Sequence, residues 1–249
     1  MKTIAVAGKG GTGKTTIAAL MIRLLSEKKL ATLAVDADSN VNLNDVLGVE
    51  LGETIGAIRE EMKILAQKLP AGMTKQQFLE YKIHRSLVEA QFFDLIAMGR
   101  PEGPGCYCYA NDLLRDILAT LSQNYEYVVI DNQAGMEHLS RRTTQNIDNL
   151  LIVSDPSLRG IRAAGKISRL VKELETRVKE KSLILNRVHD SIPASLKEAV
   201  AEEGLELLSI IPEDKKLLKM DQEGKSIWDI PARSPAYKAI IELWKKLLR

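Results

Sequence analysis

The run Gly8-Lys9-Gly10-Gly11-Thr12-Gly13-Lys14-Thr15-Thr16 constrains this chain more than any other feature. It fits G-x-x-x-x-G-K-[ST], the phosphate-binding loop. An apolar, strand-like run (Ile4, Ala5, Val6, Ala7) leads into it. Thr15 to Lys28 follows, with Ile17, Leu20, Met21, Leu24 and Leu25 on one helical face. Strand, glycine loop and helix is the order that phosphate binding requires. Glycines let backbone N–H groups turn inward without a Cβ in the way. The helix N-terminus behind the loop adds about half a positive charge. In that arrangement Gly8, Gly10, Gly11, Thr12, Gly13 and Thr16 surround the phosphates. Lys14 reaches the β- and γ-phosphates, and the Thr15 hydroxyl takes Mg²⁺.

The rest of the chain reads as one α/β sheet built around that loop. Ala31 to Val35 is a buried strand that runs into Asp36-Ala37-Asp38-Ser39-Asn40. Further strands are expected at 93–98, 127–130, 149–154, 183–185 and 207–211, with helices at 160–179 and 234–249. The last helix presents Ile240, Ile241, Trp244, Leu247 and Leu248. Strands and helices in alternation predict a doubly wound, mainly parallel sheet flanked by helices. The expected domain is single, 1–249. Its polar, mainly helical insertion at about 50–92 decorates the sheet edge, with Thr74 as a helix N-cap. An apolar share of 45% suffices for such a core.

Acids and amides then fall at strand carboxyl ends, where open α/β sheets bind ligands. Asp36 and Asp38 follow the second strand. Asp131 closes Tyr127-Val128-Val129-Ile130, the hydrophobic strand ending in Asp that holds Mg²⁺ through water. Asp131-Asn132-Gln133-Ala134-Gly135 occupies a switch position, and Gly135 can pivot there. Asn186 follows Leu183-Ile184-Leu185, and an Asn amide can pair with adenine N6 and N7. Asn186-Arg187-Val188-His189 departs from the Asn-Lys-x-Asp of guanine-specific loops, so ATP is expected rather than GTP.

The only two cysteines, Cys106 and Cys108, lie one residue apart in a loop rich in glycine and proline. That ring is too small for a structural disulfide. The pair precedes a helix N-terminus at Asn111 or Asp112, which favours thiolate. Soft thiolates suit Zn²⁺, Ni²⁺, Cu⁺ or an iron–sulfur cluster. His138 reads as a hydrogen-bonding partner near the switch rather than a ligand. The net charge of +2, with signs interspersed, gives no dominant field for nucleic acid. No apolar run reaches the ~18 residues a membrane span needs. The expected compartment is the cytoplasm, the expected partner neither nucleic acid nor membrane.

Lys9, directly after the first glycine, makes Lys-Gly-Gly-x-Gly-Lys-Thr. This resembles the deviant phosphate loop of the class that includes the ParA and MinD partition ATPases, the arsenite-transport ATPase, the nitrogenase iron protein and metal-insertion ATPases. The resemblance implies that Lys9 crosses to the nucleotide of a second subunit in a two-fold homodimer. It implies that Asp38 positions or activates the attacking water, while Asp36 supports the Mg²⁺ hydration shell or the loop. It matches Asn186 to an adenine-contacting asparagine and Pro212 to a loop packed on the adenine face.

The Cys106-Tyr107-Cys108 loop and the stretch Asp131 to Arg142 further resemble the CooC group, accessory ATPases that mature nickel-containing carbon monoxide dehydrogenase. That likeness implies Ni²⁺, or Zn²⁺ in its place, at Cys106 and Cys108. Two thiolates from one chain cannot complete a tetrahedral site, but a dimer brings four. ATP binding and hydrolysis to ADP would gate transfer to the apo-enzyme, with acetyl-CoA synthase as an alternative client. Two rivals remain at this level. One is a redox protein like the nitrogenase iron protein, although no cysteine follows Cys108. The other is a positioning ATPase acting on membrane or DNA.

Overall fold

The computed structural model describes residues 1–65, 72–100, 121, 124–134, 146–173 and 177–248. Eight strands form one sheet: β1 (Lys2–Gly8), β2 (Thr32–Ala37), β3 (Val88–Glu89), β4 (Asp94–Ala97), β5 (Tyr127–Asn132), β6 (Asn146–Ser154), β7 (Arg177–Val188) and β8 (Leu207–Pro212). Their order is β3-β4-β2-β5-β1-β6-β7-β8. Every pairing is parallel except β3 with β4. The central strands are apolar almost throughout because helices cover both faces. In β1, Ile4 and Val6 enter one core while Ala5 and Ala7 enter the other, the two-residue alternation of a pleated strand.

Among the described residues the helices are α1 (Lys14–Glu27), α2 (Leu43–Leu47), α3 (Ile55–Leu65), α4 (Lys75–Ser86), α5 (Leu158–Glu173), α6 (Ala194–Glu202), α7 (Lys215–Gln222) and α8 (Pro235–Leu247). The core of α1, α2 and α8 lies on one face of the sheet, and that of α3, α5 and α6 on the other. Helix α1 buries Ile17, Leu20, Met21, Leu24 and Leu25 as its periodicity predicts. It also buries Arg23. That cation is accommodated because Nη1 donates to the carbonyls of Ile227 (2.8 Å) and Ile230 (2.7 Å). Nε meets Glu27 at 2.8 Å, and the guanidinium lies over the Tyr237 ring. A buried charge is tolerated only when its donors are paired in this way.

Thr74 caps α4 as expected, in a reciprocal box with Gln77: Thr74 Oγ1 accepts from Gln77 N at 3.2 Å and Gln77 Oε1 accepts from Thr74 N at 3.0 Å. Two expectations are corrected. The helix expected over 160–179 ends at Glu173, and residues 177–188 form a strand. Pairing from Asn146↔Arg177 to Ser154↔Leu185 extends that strand through its polar first half, overriding local preference. On α8 the buried side is Ala236, Tyr237, Ile240, Leu243 and Leu247, while Leu248 is 46% exposed. Steps of four and three residues keep one face inward, and Leu248 falls outside that series.

Candidate functional site

Five strand carboxyl ends meet at one edge of the sheet. Gly8 ends β1, Asp36 and Ala37 end β2, and Asp131 and Asn132 end β5. Asn186 to Val188 end β7, and Pro212 ends β8. The chain leaves β1 toward β2 on one side and later reaches β6 on the other, so a crevice opens at β1.

The loop after β1 has little room for side chains. A Cβ on Gly8 would sit 2.3 Å from the Val153 carbonyl oxygen, and one on Gly13 would sit 2.4 Å from Asn186 Nδ2. Gly11 and Gly13 adopt φ of 78° and 90°, values that favour glycine. Gly10 faces Ala134, with 3.5 Å left for a Cβ. The Lys9 carbonyl accepts from Thr12 Oγ1 at 2.8 Å and from Lys14 Nζ at 3.3 Å. Thus Lys14 is folded onto the loop, buried, while the Lys9 side chain is exposed. Burial lowers the Lys14 pKa, and the charges of Asp131 and Asp38 oppose that shift. Helix α1 has no side-chain cap and no acid in its first turn. Its N-terminal amides stay open to an anion.

The two strand-end acids differ. Asp36 is fully buried and accepts from the backbone N–H groups of Asp38, Asn42 and Leu43, each at 2.9 Å. It ties down the loop after β2 and the start of α2. Burial raises its pKa, and those bonds pull the other way. Of the two expected roles for Asp36, support of the loop is the one these bonds perform. Asp131 stands opposite Asp36 and Val6 in register. Its carboxyl is pushed up to about 7 by burial, with the Thr15 hydrogen bond opposing and the Asp36 charge adding to the shift. Its Oδ1 has no hydrogen-bond partner. A buried carboxylate oxygen without a donor, beside the Thr15 hydroxyl, suits a hydrated divalent cation. Asp38 is partly exposed and accepts from Asn40 N at 2.8 Å. Gln133 Nε2 donates to Ser39 Oγ at 3.2 Å, joining the expected switch position after β5 to the loop after β2.

On the far side, Asn186 Nδ2 donates to the Thr12 carbonyl at 2.8 Å and Arg187 Nη1 to the Gly11 carbonyl at 3.2 Å. One amide N–H of Asn186 is therefore committed to the loop. Its Oδ1 and second N–H remain for a base. A cleft of about 150 Å³ opens beside it, lined by Thr16, Asn186, Arg187, Pro212, Glu213 and Leu217. Asp214 fixes that wall. It caps α7 through Lys216 N at 2.9 Å and accepts from Ser234 Oγ and Ala236 N at the start of α8. Arg187 and Asp214 lie in stretches the sequence singles out, beside Asn186 and Pro212, but their own roles depend on partners distant in the chain.

The structure thus brings together Gly8 to Thr16, Asp38, Asp131, Asn186 and Pro212. Cys106, Cys108, Gly135 and His138 lie outside the described residues. Among the described residues no group of three or more His, Cys, Asp or Glu is placed to hold a metal ion. Nor is any described helix long and apolar enough to cross a membrane.

Comparison with known proteins gives a consistent picture. Residues 3–227 match the CobQ/CobB/MinD/ParA nucleotide binding domain. An uncharacterised ATP-binding protein of Methanocaldococcus jannaschii is 44% identical over 98% of both chains. The carbon monoxide dehydrogenase accessory protein CooC of Rhodospirillum rubrum is 31% identical, over 94% of this chain and 90% of its own. A ParA family ATPase from Chlorobium tepidum shares the fold, with a TM-score of 0.73 at 22% identity, covering 100% of this chain and 98% of that one.

Proposed function

We propose, from the premise that this chain belongs to the CobQ/CobB/MinD/ParA nucleotide-binding family of P-loop ATPases, that it is a homodimeric ATPase delivering nickel to carbon monoxide dehydrogenase. The observation that carries the delivery role is the Cys106-x-Cys108 pair in a chain 31% identical to an accessory protein of that enzyme.

The nucleotide half of the reading follows from the crevice. Adenine enters the cleft between Asn186 and Pro212. The triphosphate lies along the amides of residues 10–16, with Lys14 leaving the Lys9 carbonyl to meet it. Thr15 and Asp131 are the residues that would hold Mg²⁺. When bound, that ion supplies positive charge beside the β- and γ-phosphate oxygens. Asp38 orients a water toward the γ-phosphorus. The water oxygen bonds to the γ-phosphorus as the bond from phosphorus to the bridging oxygen breaks, the water's proton passes to the released phosphate, and ADP and phosphate leave. Lys9, exposed at the rim, serves the nucleotide of the partner copy as a cation supplied in trans.

The cargo half follows from the thiolates. Each protomer contributes Cys106 and Cys108, so two copies complete a four-sulfur site for Ni²⁺, with Zn²⁺ able to replace it. The Ser39–Gln133 hydrogen bond supports a link between the loop after β2 and the switch position after β5, through which nucleotide state alters the dimer interface. The client is the apo-enzyme of carbon monoxide dehydrogenase, or acetyl-CoA synthase in its place. The chain acts as a single domain in the cytoplasm, with neither nucleic acid nor membrane as partner.

Size-exclusion chromatography with metal analysis tests this directly. Wild type with Ni²⁺ and a non-hydrolysable ATP analogue should elute as a dimer carrying nickel. The Cys106→Ala/Cys108→Ala variant should still bind nucleotide but carry none. A chain that stays monomeric with every ion and nucleotide, or a double variant that retains its nickel, would overturn the reading.

A further inference from the structure

Consecutive residues at the end of β7 reach the phosphate loop in a way that reading a base does not require. The β7–β8 ladder is irregular between Leu185 and Val188. Within that irregularity Arg187 adopts φ 58°, the left-handed region that residues with a Cβ seldom enter. Among the described residues only Lys29 shares this outside glycine. Lys29 sits just past the end of α1, where a left-handed residue commonly closes a helix. No such helix end accounts for Arg187. Its conformation instead accompanies the hydrogen bond to the Gly11 carbonyl, next to the one from Asn186 to the Thr12 carbonyl.

Peptide geometry gives these two bonds a consequence. In a trans peptide the C=O and the following N–H point to opposite sides. Drawing the carbonyls of Gly11 and Thr12 outward to β7 therefore turns the amides of Thr12 and Gly13 into the loop. The Thr12 amide accordingly turns back across the loop and donates to the Lys9 carbonyl at 3.4 Å, closing a turn. Glycines at 10, 11 and 13 would otherwise let those peptide planes rotate at little cost.

We propose that Arg187 is a positioning residue for the phosphate loop, holding the Gly11 carbonyl outward so that the Gly11–Thr12 peptide, and with it the turn onto the Lys9 carbonyl, is fixed before the triphosphate arrives. The inference rests on the ATP-binding reading of the same site and adds a residue to it. Arg187 and Asn186 also line the cleft with Pro212. The base end and the phosphate end of the site are thereby joined through two neighbouring side chains. Donors fixed in advance bind an anion without paying to reorganise.

Isothermal titration calorimetry of the full chain with Mg²⁺ tests the role, using ATP and inorganic tripolyphosphate as probes. Arg187→Gly removes the donor, and glycine adopts the same φ freely, so its melting temperature should equal or exceed that of wild type. Its dissociation constants for ATP and for tripolyphosphate should both rise about tenfold. Arg187→Lys, which keeps one donor, should recover part of the loss and serves as the second variant. An effect on ATP alone would place Arg187 on the base and overturn the proposal, as would no effect on either ligand. Wild type that binds tripolyphosphate but not ATP, with the loss intact in Arg187→Gly, would sink the adenine assignment and leave this one standing.

Discussion

The ends of β2 and β5 carry the same side chain at the same height and use it in opposite ways. Asp36 and Asp131 are register partners, 0% and 2% exposed. Burial pushes both carboxyls upward. Yet Asp36 is closed by three backbone N–H groups supplied by the loop that follows it. Asp131 has Thr15 on one side and a bare Oδ1. An unpartnered buried acceptor costs about 1–3 kcal/mol, and such a group persists where a ligand relieves it. Burial of an acid therefore does not mark function here. What distinguishes the two is whether the chain itself satisfies the carboxylate.

The contrast can be broken most sharply by truncation. Asp36→Ala leaves three backbone donors, one buried and two partly buried, without an acceptor and should lower the unfolding free energy by roughly 3–5 kcal/mol. Urea unfolding of this variant beside Asp131→Asn, which should lose no more than about 1 kcal/mol against wild type, reads the difference. Equal losses would erase the distinction between the two acids.

A smaller effect is expected from pH. Asp131 ionises near its ordinary 3.8 when unfolded and at about 7 when folded. Between those values the unfolded chain has released a proton that the folded chain keeps. Over pH 5 to 7, the upper two units of that window, stability of the nucleotide-free protein should therefore fall by roughly 3 kcal/mol at about 1.36 kcal/mol per unit, then level off above it. Asp36, raised in the same direction, adds a slope of the same sign. Unfolding measured from pH 5 to 8 should show the fall in wild type and a flatter profile in Asp131→Asn. A profile that rises with pH in wild type but not in Asp131→Asn would place the ionised Asp131 in a satisfied environment.

The smallest change in stability belongs to Asp38, partly exposed and bonded through its side chain to the Asn40 amide. Asp38→Asn should shift stability by no more than about 0.5 kcal/mol while cutting ATP turnover at least about tenfold. A loss of stability on the scale of Asp36→Ala would make Asp38 a second structural acid instead.

The legible parts of the fold and site are those written in local runs. Val6 and Ala7 before Gly8, and the apolar face of α1 after Lys14, place the phosphate loop without help from distant residues. The acids at 36 and 131 and the amide at 186 follow apolar runs, and so fall at strand ends. Residues 177–182 read Arg-Val-Lys-Glu-Lys-Ser and carry no such pattern. They become strand because β6 offers a ladder. The face of α8 departs from its apolar pattern because the apolar residues at its end outnumber those that can point inward at once. The order of residues gives Asp131 and Asp36 different expected roles but does not show that one carboxylate is satisfied and the other open, since their donors depend on how the following loop and α1 are folded around them.

By itself the sequence determined the phosphate-binding loop, the sheet that presents it and the residue types at the strand ends, because glycine geometry and apolar periodicity act over a few neighbouring positions. Only the tertiary structure decided that one buried acid is satisfied and the other open, and that β7 braces the loop. Those outcomes depend on donors and acceptors that meet across the sheet, 174 and 176 positions apart in the case of the β7 contacts.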